Sequence, residues 1–269
     1  MNDLLRRQHA PFAAASWAAI DEQAREVLAG NLSGRRIVDV SGPFGWQHAA
    51  VNLGRLQPGR VDAGDGVSYG IRKVLPLVEV RVPFELDLWE LDDVVRGARD
   101  PDLDPLIDAA RKLAAFEERA IYYGFEPGGI VGMADASQHE AVAFRADPTT
   151  WPEAIAQAIV ALKSAGELAP YTFVAGRSVF QGLERDAGSY PLRKQIESLI
   201  DGPIVLAPNI DGAFLVPTDS EGDFELTLGQ DISVGFDQQH GQRVQLYMTE
   251  SFTFRVLEPQ AVVAFELGE

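Results

Sequence analysis

The sequence predicts an α+β fold, and three observations predict it. Helical three- and four-residue periodicity and strand-like alternation occupy separate stretches, with no regular β-α-β rhythm. The strand-like stretches are joined mostly by Gly-rich turns, which suit antiparallel neighbours. The 269 residues, 46% hydrophobic and 23% charged, can bury one large core or two modest ones, so the chain reads as globular. No internal repeat is present.

The elements follow in order. Ala13–Leu32 reads as a helix because Trp17, Ile20, Ala24, Val27 and Leu28 form one apolar stripe; Ser16 is placed to cap it and Gly30 or Gly34 to end it. Before it, Leu4, Leu5 and Phe12 make an apolar arm that needs another surface to pack on, a neighbouring subunit among the candidates. Arg35–Val40 reads as a short strand ending in the turn SGPFG. Ala49–Leu56 and Gly66–Val74 flank the Gly/Asp-rich tip QPGRVDAGDG and read as a long hairpin, which cannot be stable alone and must lie on other protein surface. Leu75–Leu86 continues extended, and Trp89–Gly97 reads as a short helix.

The clearest helix runs from Asp104 to Tyr123, with Asp104 as N-cap, Pro105 in the first turn and Gly124 as stop. Further helices are read at Trp151–Ser164, capped by Thr149 or Thr150, at Ser178–Leu183 and at Pro191–Ile200. Strands are read at Tyr171–Ala175, Ile204–Ala207, Ala213–Pro217 and repeatedly through Asp223–Leu267.

The chemistry is mostly exclusion. With no cysteine, disulfides, thiolate catalysis and Cys-ligated metals are absent. The four histidines, His9, His48, His139 and His240, are scattered, and His139-Glu140 lacks the second histidine of a zinc-protease helix because position 143 is Ala. No Gly-x-Ser-x-Gly elbow or phosphate-binding loop occurs. Asp92-Asp93 and Glu117-Glu118 are adjacent on helices, do not face each other, and are predicted to be a solvated face. Trp46 reads as a packing anchor; Trp89 serves either packing or the stacking of a planar ligand such as a flavin. The net charge of -17 disfavours nucleic acid as a partner. The N-terminus does not read as a signal peptide and no run reaches the length of a membrane span, so a cytoplasmic protein is expected.

Five blocks carry a resemblance: LSGRRIVDVSGPFGWQHAAVNLGRL, PLVEVRVPFELDLWELDDVVRG, AAFEERAIYYG, GPIVLAPNIDGAFLV and LGQDISVGFDQQHGQRVQLYMTESFTFRV. In this order, from Leu4 to Phe265, the chain resembles the encapsulins, the linocin-type shell proteins of nanocompartments. The resemblance implies a fold like the major capsid protein of tailed phages. It implies 1–50 as N-terminal arm, helix and start of the peripheral domain, 51–75 as extended loop and 76–131 as peripheral domain with its spine helix. It further implies 132–217 as axial domain and 218–269 as C-terminal strands returning to the peripheral domain and extended loop. The implied function is a self-assembling icosahedral shell, of sixty copies, around a cargo enzyme held by a C-terminal targeting peptide; the cargo would be a ferritin-like iron oxidase or a dye-decolourising peroxidase. The peptide would dock on Arg35, Ile37, Asp39, Ile232, Ser233, Val234 and Phe236, unless Arg35 and Asp39 merely pair with each other on the surface. Asp186, Ala187, Gly188, Ser189 and Tyr190 would border a fivefold pore. No catalytic residue, metal or required cofactor is expected. The rival readings are a hydrolase of protease or bacteriocin type and a prophage capsid protein.

Overall fold

A computed structural model describes residues 4–57, 61–62, 66–145, 147–184 and 191–268, with only the backbone at 61 and 62. A 3-10 turn at Arg7–His9 precedes α1 (Ala14–Ala29). Then come β1 (Asp39–Ser41), β2 (Ala50–Leu56), β3 (Val61–Asp62), β4 (Ser68–Tyr69), β5 (Arg72–Pro76) and β6 (Val78–Asp87). The middle of the chain holds α2 (Leu88–Arg96), α3 (Asp104–Tyr123), α4 (Met133–Ala136), β7 (Val142–Phe144), α5 (Trp151–Ala165), β8 (Tyr171–Gly176), α6 (Arg177–Leu183) and α7 (Leu192–Ile200). It ends with β9 (Ile204–Ala207), β10 (Ala213–Pro217), β11 (Phe224–Leu228), β12 (Ser233–His240), β13 (Arg243–Val256) and β14 (Val263–Leu267).

Local chemistry sets several boundaries. The Asp87 carboxylate accepts from the Trp89 amide and opens α2, and Gly97 closes it at φ 106°. α3 carries Pro105 in its first turn, but Asp104 is already helical and Leu103 is the uncapped flanking residue. Gly124 ends α3 at φ 86°, where a Cβ would meet the Ile130 carbonyl at 2.7 Å. Ser16 does not cap α1: its hydroxyl is buried and donates to the Leu91 carbonyl at 2.6 Å, tying α1 to α2. Neither Thr149 nor Thr150 caps α5; Asp147 accepts from Thr149 in the 3-10 turn before it.

Two five-stranded sheets form the body. In the first, β13 is the central strand. β6 pairs along one side of it, over Arg243–Phe252. β12 and β11 follow one another along the other side, the junction being held by Gly229 N–H to Ser251 O and Ser251 N–H to Gln230 O. β1 adds in parallel to β11. The second sheet has the order β7-β14-β10-β8-β9 and is filled by aromatic rings, with Trp151 of α5 stacked on Phe144 at 4.9 Å. Between the sheets a shared core gathers Tyr122, Phe214, Phe224 and Phe252. Among the described residues no helix is long and apolar enough to cross a membrane.

Three expectations are corrected here. Residues 218–269, expected to return to the peripheral domain and extended loop, divide between the two sheets: β11–β13 join the first, and β14 lies between β7 and β10 in the second, where Phe265 packs 4.5 Å from Phe144. Residues 35–40 are not one strand, because Gly34–Arg36 is a 3-10 turn pressed on α3 and only Asp39–Ser41 is extended. The N-terminal arm needs no other subunit, since the Phe236 amide of β12 donates to Leu5 O at 2.8 Å and the Tyr247 hydroxyl to Leu4 O at 2.6 Å.

The turn SGPFG is structural. Gly42 sits at φ 112°, and a Cβ there would come within 2.4 Å of Leu228 O. Phe44 and Gly45 donate their amides to Leu228 O and Gly229 O, so the turn is stitched to the end of β11. The predicted hairpin exists as β2 paired with β5, from Ala50↔Pro76 to Leu56↔Arg72. Leu75 is buried and Val51 and Leu53 are half-buried, but Leu56, Val74 and Ile71 stay in solvent within one chain, the last 59% exposed.

Candidate docking groove

A groove of about 600 Å³ opens between α1, the N-terminal arm and the start of β12. The second half of α1 supplies Ala24 and Leu28, which belong to the apolar stripe read from its periodicity. Leu32 follows the helix, Ile232 and Val234 come from the opposite wall, and Met248 of β13 joins them. Charged groups share the lining: Arg7, Asp21, Arg25, Arg35 and Asp231. An extended segment with apolar anchors fits such a lining, with the charges to set its register.

Below the groove lies a network of buried acids. The Ser33–Arg35 turn follows α1 and meets α3. Ser33 Oγ and the Gly34 amide both donate to the Glu118 carboxylate, and Ser33 Oγ also lies 3.0 Å from the Tyr122 hydroxyl. Arg35 reaches three carboxylates: Glu117 of α3 at 2.5 Å, Glu250 of β13 at 2.6 Å and Asp231 at 2.8 Å. Glu117, Glu118 and Glu250 are fully buried. The solvated face predicted for Glu117-Glu118 is therefore wrong: each carboxylate turns to a different buried donor, so adjacency in sequence says nothing of exposure. The pairing of Arg35 with Asp39 is absent too, as Asp39 accepts from the Gly222 amide at 2.6 Å.

One cation stands among three carboxylates, two of them fully buried. Burial, reinforced by the charge of Glu117, pushes the Glu250 carboxyl well up, against the lowering effect of Arg35. Its Oε2 has no hydrogen-bond partner among the described residues. Burial also raises Glu118 to about 7, against the lowering effect of its bonds from Ser33 and Gly34. For Arg35 burial acts against the charge, but the bonds and charges of Glu117 and Glu250 outweigh it, and the guanidinium is more basic than usual.

Of the seven residues expected to dock a peptide, Arg35, Ile232, Ser233 and Val234 line the groove. Ile37 turns into the shared core, Phe236 into the core between α1, α3 and the first sheet, and Asp39 toward Gly222. Arg7, Asp21 and Met248 line the groove and were not foreseen. No local pattern marks Arg7, whose partner Val234 is 227 positions away. Trp89 stands exposed on α2 with the Arg96 guanidinium 5.9 Å from its ring, and among the described residues no second aromatic ring stacks on it. Asp186, Ala187, Gly188, Ser189 and Tyr190 lie outside the described residues. Among the described residues no group of three or more His, Asp or Glu is arranged to hold a metal ion.

The sequence profile of a family described as "encapsulating protein for peroxidase" matches residues 1–253. The type 1 encapsulin shell protein of Rhodospirillum rubrum is 42% identical over 98% of this chain and 96% of its own. The chain belongs to the encapsulin family. As an encapsulin it is a structural shell protein, not an enzyme, and it assembles with copies of itself into a capsid-like particle. The hydrolase reading is thereby set aside. The fold is that of capsid proteins: the virus-like particle of Pyrococcus furiosus aligns with a TM-score of 0.63 at 16% identity, over 93% of this encapsulin and 99% of that chain. The capsid of Myoviridae phage XM1 aligns with a TM-score of 0.55 at 12% identity, over 88% and 92% of the two chains. At such identities the likeness is one of fold alone.

Proposed function

We propose that this encapsulin encloses a cargo enzyme in the cytoplasm and holds it by a short C-terminal peptide seated in the groove between α1 and β12. The observation that carries the reading is the apolar lining, Ala24, Leu28, Leu32, Ile232 and Met248, left open in the folded chain. A tail with two or three apolar side chains would bury each for about 1.5–3 kcal/mol. Association costs about 4 kcal/mol or more in lost freedom. One site is therefore weak, and retention comes from a cargo with several tails among many docks. The matching family's description names a peroxidase, which makes a dye-decolourising peroxidase one candidate cargo and a ferritin-like iron oxidase the other. Sixty copies form the shell in this reading, since nothing in the sequence resembles a widening insertion. The β2–β5 hairpin, with Ile71 and Val74 exposed, reaches across to a neighbouring copy. Asp186 would favour cations at a pore. Trp89 offers its exposed ring to a planar ligand such as a flavin or to an adjoining copy.

Co-expression with a fluorescent protein ending in an eight-residue Gly/Leu-rich tail tests the dock. Ile232→Asp is expected to abolish co-purification of the fluorescent protein while particles of normal diameter persist in electron micrographs. Normal loading of that variant would refute the dock.

A further inference from the structure

We infer that Arg7 is the positioning residue of the groove: it fastens the N-terminal arm to β12 and α1 at once, so that Leu5 stands as a third wall and the docked peptide is read by side chains, not by strand addition. The inference rests on the docking reading above. Arg7 is held more firmly than a surface arginine needs to be. Its Nε donates to Val234 O at 2.8 Å, and its two terminal nitrogens donate to the two oxygens of Asp21 at 2.8 and 2.7 Å. The bidentate fork fixes the direction of the guanidinium as well as its distance. The same group lies 4.4 Å over the Trp17 ring. Three parts of the chain, arm, α1 and β12, thus converge on one side chain.

The arm's path depends on these contacts. Arg6 takes φ 51° and ψ 25°, a left-handed conformation that a non-glycine residue keeps only when its surroundings hold it. On its other side Leu5 O accepts the Phe236 amide. The outer edge of β12 therefore already has its Val234 carbonyl and its Phe236 amide engaged by the arm. An incoming peptide finds no free ladder there of the kind that strand addition uses. It finds Leu5 and Arg7 in the lining of a groove that remains open, which makes the arm a wall and not a plug.

The test uses shells of the full chain, with the tailed fluorescent protein as probe. In Arg7→Ala, amide hydrogen exchange at Phe236 and over the arm is expected to accelerate at least tenfold, while the β12–β13 ladder amides keep their rates. Loading of the probe is expected to fall at least fivefold with particle diameter unchanged. Asp21→Asn, which keeps the Val234 bond and the Trp17 contact, should give an intermediate loss, and it carries the test alone if Arg7→Ala shells do not form. Unchanged exchange in the variants, or a released arm with loading equal to or above wild type, would overturn the inference. Ile232→Asp separates the two ideas: if it loads normally the dock itself is wrong, and if it alone loses cargo the dock stands and Arg7 has no part in it.

Discussion

Both sheets bury apolar side chains, but they differ in what lies among them. The second is dry and apolar: every residue of β8 and β10 is buried, and rings of Phe144, Trp151, Phe173 and Phe265 fill the space below α5. The first carries Glu250 in its central strand and sets Glu117 and Glu118 of α3 against it, with Arg35 as the cation between them. The second sheet holds by area and shape, which are indifferent to pH. The first also ties down α1's trailing turn through charged groups, and α1 is one wall of the groove. The difference teaches that the structural half and the half that carries the proposed dock are stabilised by separable physics.

Breaking each half should look different. Arg35→Met leaves Glu117 and Glu250 buried without their cation, and a loss of about 3–5 kcal/mol is expected. Phe173→Ala removes a fully buried ring and is expected to cost a similar amount, about 3–5 kcal/mol. Thermal unfolding at several pH values separates them: the Phe173→Ala deficit stays constant, whereas that of Arg35→Met, which removes a charge from among carboxylates, changes with pH. A pH-independent deficit in Arg35→Met would contradict the account.

Glu118→Gln sharpens the same contrast. The carboxyl titrates at about 7 in the fold, above its unfolded value of 4.5, so the folded state binds more protons between those values. Its contribution to stability is fully present below the unfolded value and is lost as pH rises through about 7, to an extent on the order of 3 kcal/mol. The glutamine variant should show a flatter Tm profile from pH 5 to 8 than wild type; identical profiles would mean that Glu118 does not titrate there. The smallest effect is expected from Glu250→Gln. Burial pushes the Glu250 carboxyl up, and glutamine keeps its shape without the charge, so the change should stay within about 1 kcal/mol; a larger loss in chemical denaturation would show that the charge on Glu250 matters to the fold.

Most elements were legible because periodicity reports burial of one face. α1, α3, α5 and the strands of Asp223–Leu267 carry it plainly. Glu117 and Glu118 misled because a charged pair on a helix normally faces water, and nothing nearby reveals partners at positions 33, 35 and 250. Ser16 had the right residue type for a cap, but its hydroxyl is taken by Leu91 of α2. In the groove, Ile232 and Val234 were legible by resemblance and Ala24 and Leu28 by their stripe, whereas Arg7 depends on a contact across almost the whole chain. Ile37 and Phe236 were misplaced because both are apolar residues beside the groove whose side chains turn inward.

The path of the last strand has a mechanical consequence. The chain leaves the first sheet through α3, builds most of the second, comes back for β11 to β13 and crosses again to insert β14 between β7 and β10. Such lacing carries the backbone between the sheets three times, so a force that pulls them apart within a shell loads strands of both at once.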